Sequence, residues 1–179
     1  MSVDLNITGQ YKVNGVPISS GSDFKFKEIS STQGTSVTGI NGVAISSSVF
    51  IPSGTLTATN NIIEILWAAR RVSGTGTVQA QVYLNTTNSL TGATLMGIGL
   101  NYTSNNWNGK QFRTLFQNGN TLVTNVVPSA LANTDYSTPS TPSAYNYNPT
   151  TDNLYIIFAM NNLNVDNVSF TNGYRVLCY

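Results

Sequence analysis

The side chains able to move protons or hold a metal are few and scattered. There is no histidine, which removes the usual general base, most zinc sites and every Ser-His-Asp or Cys-His arrangement. The carboxylates are Asp4, Asp23, Glu28, Glu64, Asp135, Asp152 and Asp166, and no two are spaced as a pair on one strand face. A glycosidase needs two carboxyl groups about 5–10 Å apart across a cleft. Only a meeting between distant strands could supply them, and so weakly charged a chain is an unexpected host for an acidic groove. The expectation is therefore a non-enzymatic protein without catalytic residues. Cys178, in an apolar stretch beside Tyr179, reads as a small buried hydrophobe in preference to a nucleophile. Asp152-Asn153, with Asp135 or Asp166, could offer oxygens to calcium, but the spacing fits no defined loop and the turn-capping reading leads. Gly74-x-Gly76 and Gly97-x-Gly99 lack the strand-to-helix setting of a phosphate cradle and read as turn or strand glycines. No metal and no cofactor is expected.

Binding chemistry is better represented. Residues 128–151 carry Pro139, Pro142, Pro149, Tyr136, Tyr145 and Tyr147 in a connection longer than the about 12–15 residues at which unstructured loops become uncommon. Proline restricts such a loop, and tyrosine offers a flat apolar face with a polar tip, suited to stacking on sugars or to protein contact. Tyrosines in a long loop more often anchor it to its own sheet or to a neighbouring subunit, so that reading leads. Trp107, between Asn105-Asn106 and Asn108-Gly109, has the same two readings. Trp107, Tyr136, Tyr145 and Tyr147 are thus the candidate receptor contacts, while Trp67, in an alternating stretch, reads as core.

Charged residues make up 8% of the chain, against about 25% in ordinary domains. Asn, Ser, Thr, Gln and Gly must then cover the surface. With a net charge of +1 and its basic residues dispersed, the chain has no field for a row of phosphates, so nucleic acid is not an expected partner. Residues 1–10 lack a basic stretch followed by an apolar run, and no window approaches roughly 18 apolar residues, so neither signal peptide nor membrane insertion is expected. Disorder is excluded because 40% of residues are hydrophobic and fall in periodic runs.

Those runs are strands. In residues 62–72, Ile63, Ile65, Trp67 and Ala69 share one face and Glu64 and Arg70 the other. Residues 77–85 alternate with Val78, Ala80, Val82 and Leu84 on one side. Further strands are predicted at 93–102, 111–117, 121–127, 154–160, 167–170 and 174–179, the apolar run of 154–160, LYIIFAM, being central in a sheet or at a subunit interface. Ser73-Gly74-Thr75-Gly76, Asn108-Gly109, Asn118-Gly119 and Asn172-Gly173 are predicted turns. Regular strands without helices imply an all-β sandwich or barrel of roughly eight strands.

The first part of the chain differs. Asn14-Gly15-Val16-Pro17-Ile18-Ser19-Ser20 recurs as Asn41-Gly42-Val43-Ala44-Ile45-Ser46-Ser47, each copy preceded by a Thr-Gly. Two copies are too few for a solenoid. Such thin apolar alternation cannot offset an ordering entropy of about 1–2 kcal/mol per residue, so it needs a partner, either the rest of the chain or other copies.

The phrase ITGQYKVNGVPI, residues 7–18, resembles the repeated TG-x-Y-x-(I/V)-NG-V-x-(I/L) phrase of bacteriophage tail-fibre and head-appendage proteins. The run VQAQVYLNTTNSLTGATL is similar to the jelly-roll heads carried on such fibres. This resemblance implies an antiparallel jelly-roll-like β-sandwich head, residues 49–179, behind an N-terminal extended shaft or anchoring segment, residues 1–48. It implies a homotrimer located in the virion, bound to other virion proteins through its N-terminal segment, with the head projecting to meet a host surface glycan or protein. Long fibres have many shaft repeats; two short ones suit a short fibre or decoration subunit. The competing reading is a carbohydrate-binding module or lectin-like adhesin acting alone, and a third is an enzyme acting on surface polysaccharide.

Overall fold

Alternation decides which face of each strand is buried. In the computed structural model, which describes residues 11–13, 16–18, 24–57, 61–125 and 142–179, β5 (Ile62–Ser73) buries Ile63, Ile65, Trp67 and Ala69, and β6 (Val78–Asn85) buries Val78, Ala80, Val82 and Leu84. These faces meet across a sandwich. The remaining strands are β1 (Tyr11–Val13), β2 (Val16–Ile18), β3 (Phe26–Ser30), β4 (Gly42–Ile51), β7 (Thr94–Tyr102), β8 (Trp107–Asn118), β9 (Thr121–Asn125), β10 (Pro142–Asn146), β11 (Leu154–Asn162) and β12 (Val168–Cys178). All pairings are antiparallel.

One sheet runs β10-β9-β8-β5-β12-β3 and the other β4-β11-β6-β7. At each step from β3 to β8 except the β6-β7 hairpin, and again from β11 to β12, the chain crosses between sheets, so that β3-β12-β5-β8 opposes β4-β11-β6-β7. This is the double Greek key of a jelly roll, with β9 and β10 extending the first sheet beyond β8. Trp67 and Phe158 pack across the gap, ring centroids 5.9 Å apart, within a core that includes Val49, Ile51, Leu84, Met96, Leu115, Ile156 and Val176. The apolar run of residues 154–160 lies in β11, between β4 and β6 as expected of a central strand.

Several turn signals act differently from expectation. Asn118-Gly119 does close a hairpin: Asn118 faces Thr121, and Gly119 has φ 58°, the positive value that a two-residue turn with glycine in its first central position requires. Asn108-Gly109 instead lies inside β8. Asn172-Gly173 joins what read as two strands into one, as a bulge in β12 between Thr171 and Tyr174, with Gly173 at φ 110°. The segment 74–76 passes from one sheet to the other, since β5 and β6 do not pair.

The division expected after residue 48 falls inside β4, which pairs along β11 from Gly42 to Ile51. β3 pairs with β12, and Val37 bridges Ser169. Residues 24–48 are thus built into the sandwich. A second bulge fixes them there: between Phe158 and Ala159 the register of β4 skips Ser46, and the extra residue turns its side chain inward. Its hydroxyl donates to the Thr35 carbonyl at 2.9 Å and accepts from the Thr171 amide at 2.8 Å. The two copies of the sequence phrase consequently pair differently, Val16–Ile18 with β1 in a separate two-stranded sheet and Val43–Ile45 with β11.

Gly97 and Gly99 have a packing role. A Cβ at Gly97 would overlap the Arg113 side chain, and one at Gly99 the Gln111 amide. Their absence lets β8 send two long polar side chains beneath β7. Gln111 donates to the Tyr102 hydroxyl at 2.9 Å, while Arg113 donates to the carbonyls of Phe112 and Ile98 at 2.9 and 3.1 Å.

Candidate functional site

Strand register gathers four connections at one end of the sandwich. Val168 lies opposite Ser73, Trp107 opposite Arg71, Tyr102 opposite Val78, and Asn162 opposite both Gly42 and Val78. Segments 31–41, 163–167, 74–77 and 103–106 therefore form a row across this tip.

The row is hydrogen-bonded from loop to loop. The Gly39 amide donates to the Val165 carbonyl (3.1 Å) and the Leu163 amide to the Thr77 carbonyl (2.9 Å). The Thr75 hydroxyl donates to Asp166 (2.8 Å), which holds the Asp166 carboxyl below its usual range. Arg71 donates to the carbonyls of Gly74 and Tyr102 (2.5 and 3.5 Å), and Arg70 to Asn106 Oδ1 (3.3 Å). Beneath the surface, buried Asn162 donates to the carbonyls of Val37 and Asn167 (3.0 and 3.1 Å) and accepts from Ser169 (2.7 Å). Buried polar groups satisfied this way stiffen the loops that they join.

On this frame stand Ile40, Trp107, Leu163 and Val165, exposed by 36%, 46%, 48% and 56%. They are half of the large hydrophobic side chains exposed among the described residues, while Phe50, Ile62 and Phe116 are exposed toward the opposite end. Asn105, Asn106 and Asn108 flank Trp107, and all three are exposed. An indole among amides can stack and hydrogen-bond.

Of the three candidate contacts among the described residues, Trp107 alone lies on this surface. Tyr145 and Tyr147 are 8% and 1% exposed and belong to the core with Leu122 and Leu154. Their rings are spent inside the chain and are not offered to a receptor; they anchor β10 and the turn after it to the opposite end, where the Tyr147 amide donates to the Asn120 carbonyl. Tyr136 lies outside the described residues. Ile40, Leu163 and Val165 escaped the sequence reading. Their signal is an apolar residue in a turn-rich segment such as NNLNVDN, where no strand pattern claims it.

No family model, curated protein or solved structure matches the chain.

The other sequence candidates have structural surroundings. Cys178 is buried, and burial pushes its thiol up to about 12. Asp152 accepts from the Asn148 amide and the Thr151 hydroxyl, both at 2.9 Å, and so caps a turn. Among the described residues, no group of three metal-ligating side chains converges.

The end opposite the tip receives the chain from its N-terminal side. Phe26 lies opposite Cys178, and the Lys25 amide donates to the Cys178 carbonyl at 2.7 Å. Residues preceding the sandwich therefore join it at the far end from Trp107. Charge is also unevenly placed: the strands of the four-stranded sheet, β4, β11, β6 and β7, contain no Asp, Glu, Lys or Arg. The outer face of that sheet carries Val43, Ile45, Phe50, Gln79, Tyr83, Tyr155 and Asn161, with the Phe50 and Tyr155 rings 4.9 Å apart.

Proposed function

We propose that the chain is a non-enzymatic structural subunit of a bacteriophage virion appendage, a short fibre or decoration subunit. Its N-terminal segment anchors to other virion proteins, its jelly-roll head projects, and it assembles as a homotrimer. The observation that carries this reading is polarity: the N-terminal segment joins at one end, and the braced, apolar-studded loops stand at the other. A host-contact surface is useful only at the end that faces away from the particle. The sheet without ionic groups supports the trimer, since the centres of subunit interfaces are depleted of charge.

Light scattering on the full chain tests the assembly. Three times the 19.2 kDa of one chain is expected, and a monodisperse single subunit at micromolar concentration overturns it. Orientation is tested with Asn105→Cys, labelled with gold on intact particles, since buried Cys178 will not compete for the label. Gold at the outer end of a projection is expected; gold at the particle wall reverses the assignment.

A second reading, a lectin-like module acting alone, is favoured by one feature, the Trp107 indole amid three asparagines. Binding of neutral sugars on a glycan array by a monomer would select it.

A further inference from the structure

The outer face of the six-stranded sheet has a hollow of about 420 Å3, lined by residues of β3, β12, β5 and β8. Its origin is local. β3 pairs with β12 only as far as Ser30, opposite Tyr174, and just beyond that point Asn172 and Gly173 bulge out of register. The neighbouring outward position on β5 is Ala68. A departing strand, a glycine and an alanine leave the sheet surface low, while Leu66 and Ile29 stand as apolar walls, Ile29 being 59% exposed.

Two cations rim this hollow. Lys110 on β8 lies opposite Ala68, and Arg175 on β12 lies opposite Leu66, so they flank β5 from its two sides, and both are exposed. Neither carboxylate of the neighbouring strands lines the hollow, and each accepts a tyrosine hydroxyl, Glu28 from Tyr174 at 2.6 Å and Glu64 from Tyr179 at 3.0 Å. The lining is otherwise mostly carbon. In so weakly charged a protein, two cations placed over an apolar floor define a complementary ligand, one with an apolar body and a single anionic end.

We infer that this hollow binds a small amphipathic carboxylate, its apolar body on Leu66, Ala68 and Ile29 and its anionic end between Lys110 and Arg175. The site is independent of the tip and of the assembly proposed above. It requires only that the apolar body displace water from the floor while the carboxylate accepts charge-assisted hydrogen bonds at the rim.

Calorimetric titration of the full chain with 2-naphthoate at low salt tests the inference, with 2-naphthylmethanol as the uncharged counterpart. One saturable site is expected for the acid, with the alcohol bound at least about tenfold more weakly. Lys110→Ala and Arg175→Ala should each weaken the acid about three- to tenfold, and Ala68→Trp, which fills the floor, should abolish binding. Lys110 and Arg175 are exposed, so their variants keep the fold and decide the matter even where Ala68→Trp unfolds the sheet. Equal affinity for acid and alcohol, or unchanged affinity in the Lys110→Ala, Arg175→Ala double variant, overturns the assignment.

Discussion

Burial of groups that ionise only in alkali ties the stability of this sandwich to pH. Burial pushes both the Cys178 thiol and the Tyr147 phenol up to about 12, and burial followed by the neighbouring Glu28 carboxylate brings Tyr174 to about 12 as well. A folded-state value above the unfolded one means that the native state holds the proton more tightly. The associated stability is complete below the unfolded values, near 9 for the thiol and 10 for the phenols, and is lost as pH rises toward 12. Urea unfolding midpoints should therefore be level at neutral pH and fall steadily from about pH 9 upward. Cys178→Ala should delay the onset of that decline. Opposite logic governs Gly99, where any side chain meets the buried Gln111 amide. Overpacking there should cost Gly99→Ala about 1–3 kcal/mol, read as a lowered thermal midpoint.

At the scale of elements, the clearest periodicity was also the most informative. The alternations of residues 62–72 and 77–85 fix both the strands and their buried faces, because one face of each has only the core to occupy. Turn chemistry was less legible. Asn-Gly permits positive φ, and a hairpin and a bulge both use that conformation; whether residues 172–173 reverse the chain or kink it depends on the partners β5 and β3, which the local sequence does not contain. The same holds for the candidate site. Trp107 stood out by its type, but Tyr145 and Tyr147 could not be told from surface tyrosines until β10 was seen to pair with β9. The bulge gives a test of strand continuity. Gly173 has φ 110°, and a Cβ there would lie 2.8 Å from the Ser30 carbonyl oxygen. Gly173→Ala should lose at least about 1–2 kcal/mol from backbone strain alone, with hydrogen exchange accelerating first in β3 and the adjoining half of β12. Asn162→Leu acts at the tip: it strands the Ser169 hydroxyl and two carbonyls, costing about 1–3 kcal/mol, and should raise proteolytic cleavage in segments 31–41 and 163–167.

For the whole molecule, the two sheets divide the labour through their charges. The six-stranded sheet contains the ionic residues of the described strands beyond the two-stranded sheet, including Lys27, Glu64, Lys110 and Arg175; the four-stranded sheet has none. If the proposed trimer closes through the uncharged sheet, the outward side chains of β4 and β11 approach their counterparts in neighbouring copies. One introduced charge is then repeated three times around the axis, with little water to screen it. Like charges juxtaposed in an interface cost several kcal/mol, enough to dissociate a micromolar assembly. Tyr155→Lys, on the outer face of β11 beside Phe50, should convert the trimer into single subunits by light scattering while leaving the β-sheet circular dichroism unchanged. Trp107→Ala, at the tip, should leave the trimer whole and weaken attachment of particles to the host. A Tyr155→Lys protein that remains trimeric would remove the four-stranded sheet as the contact and leave the residues ahead of Phe24 to hold the copies together, so that deleting residues 1–23 would then be the change that releases them.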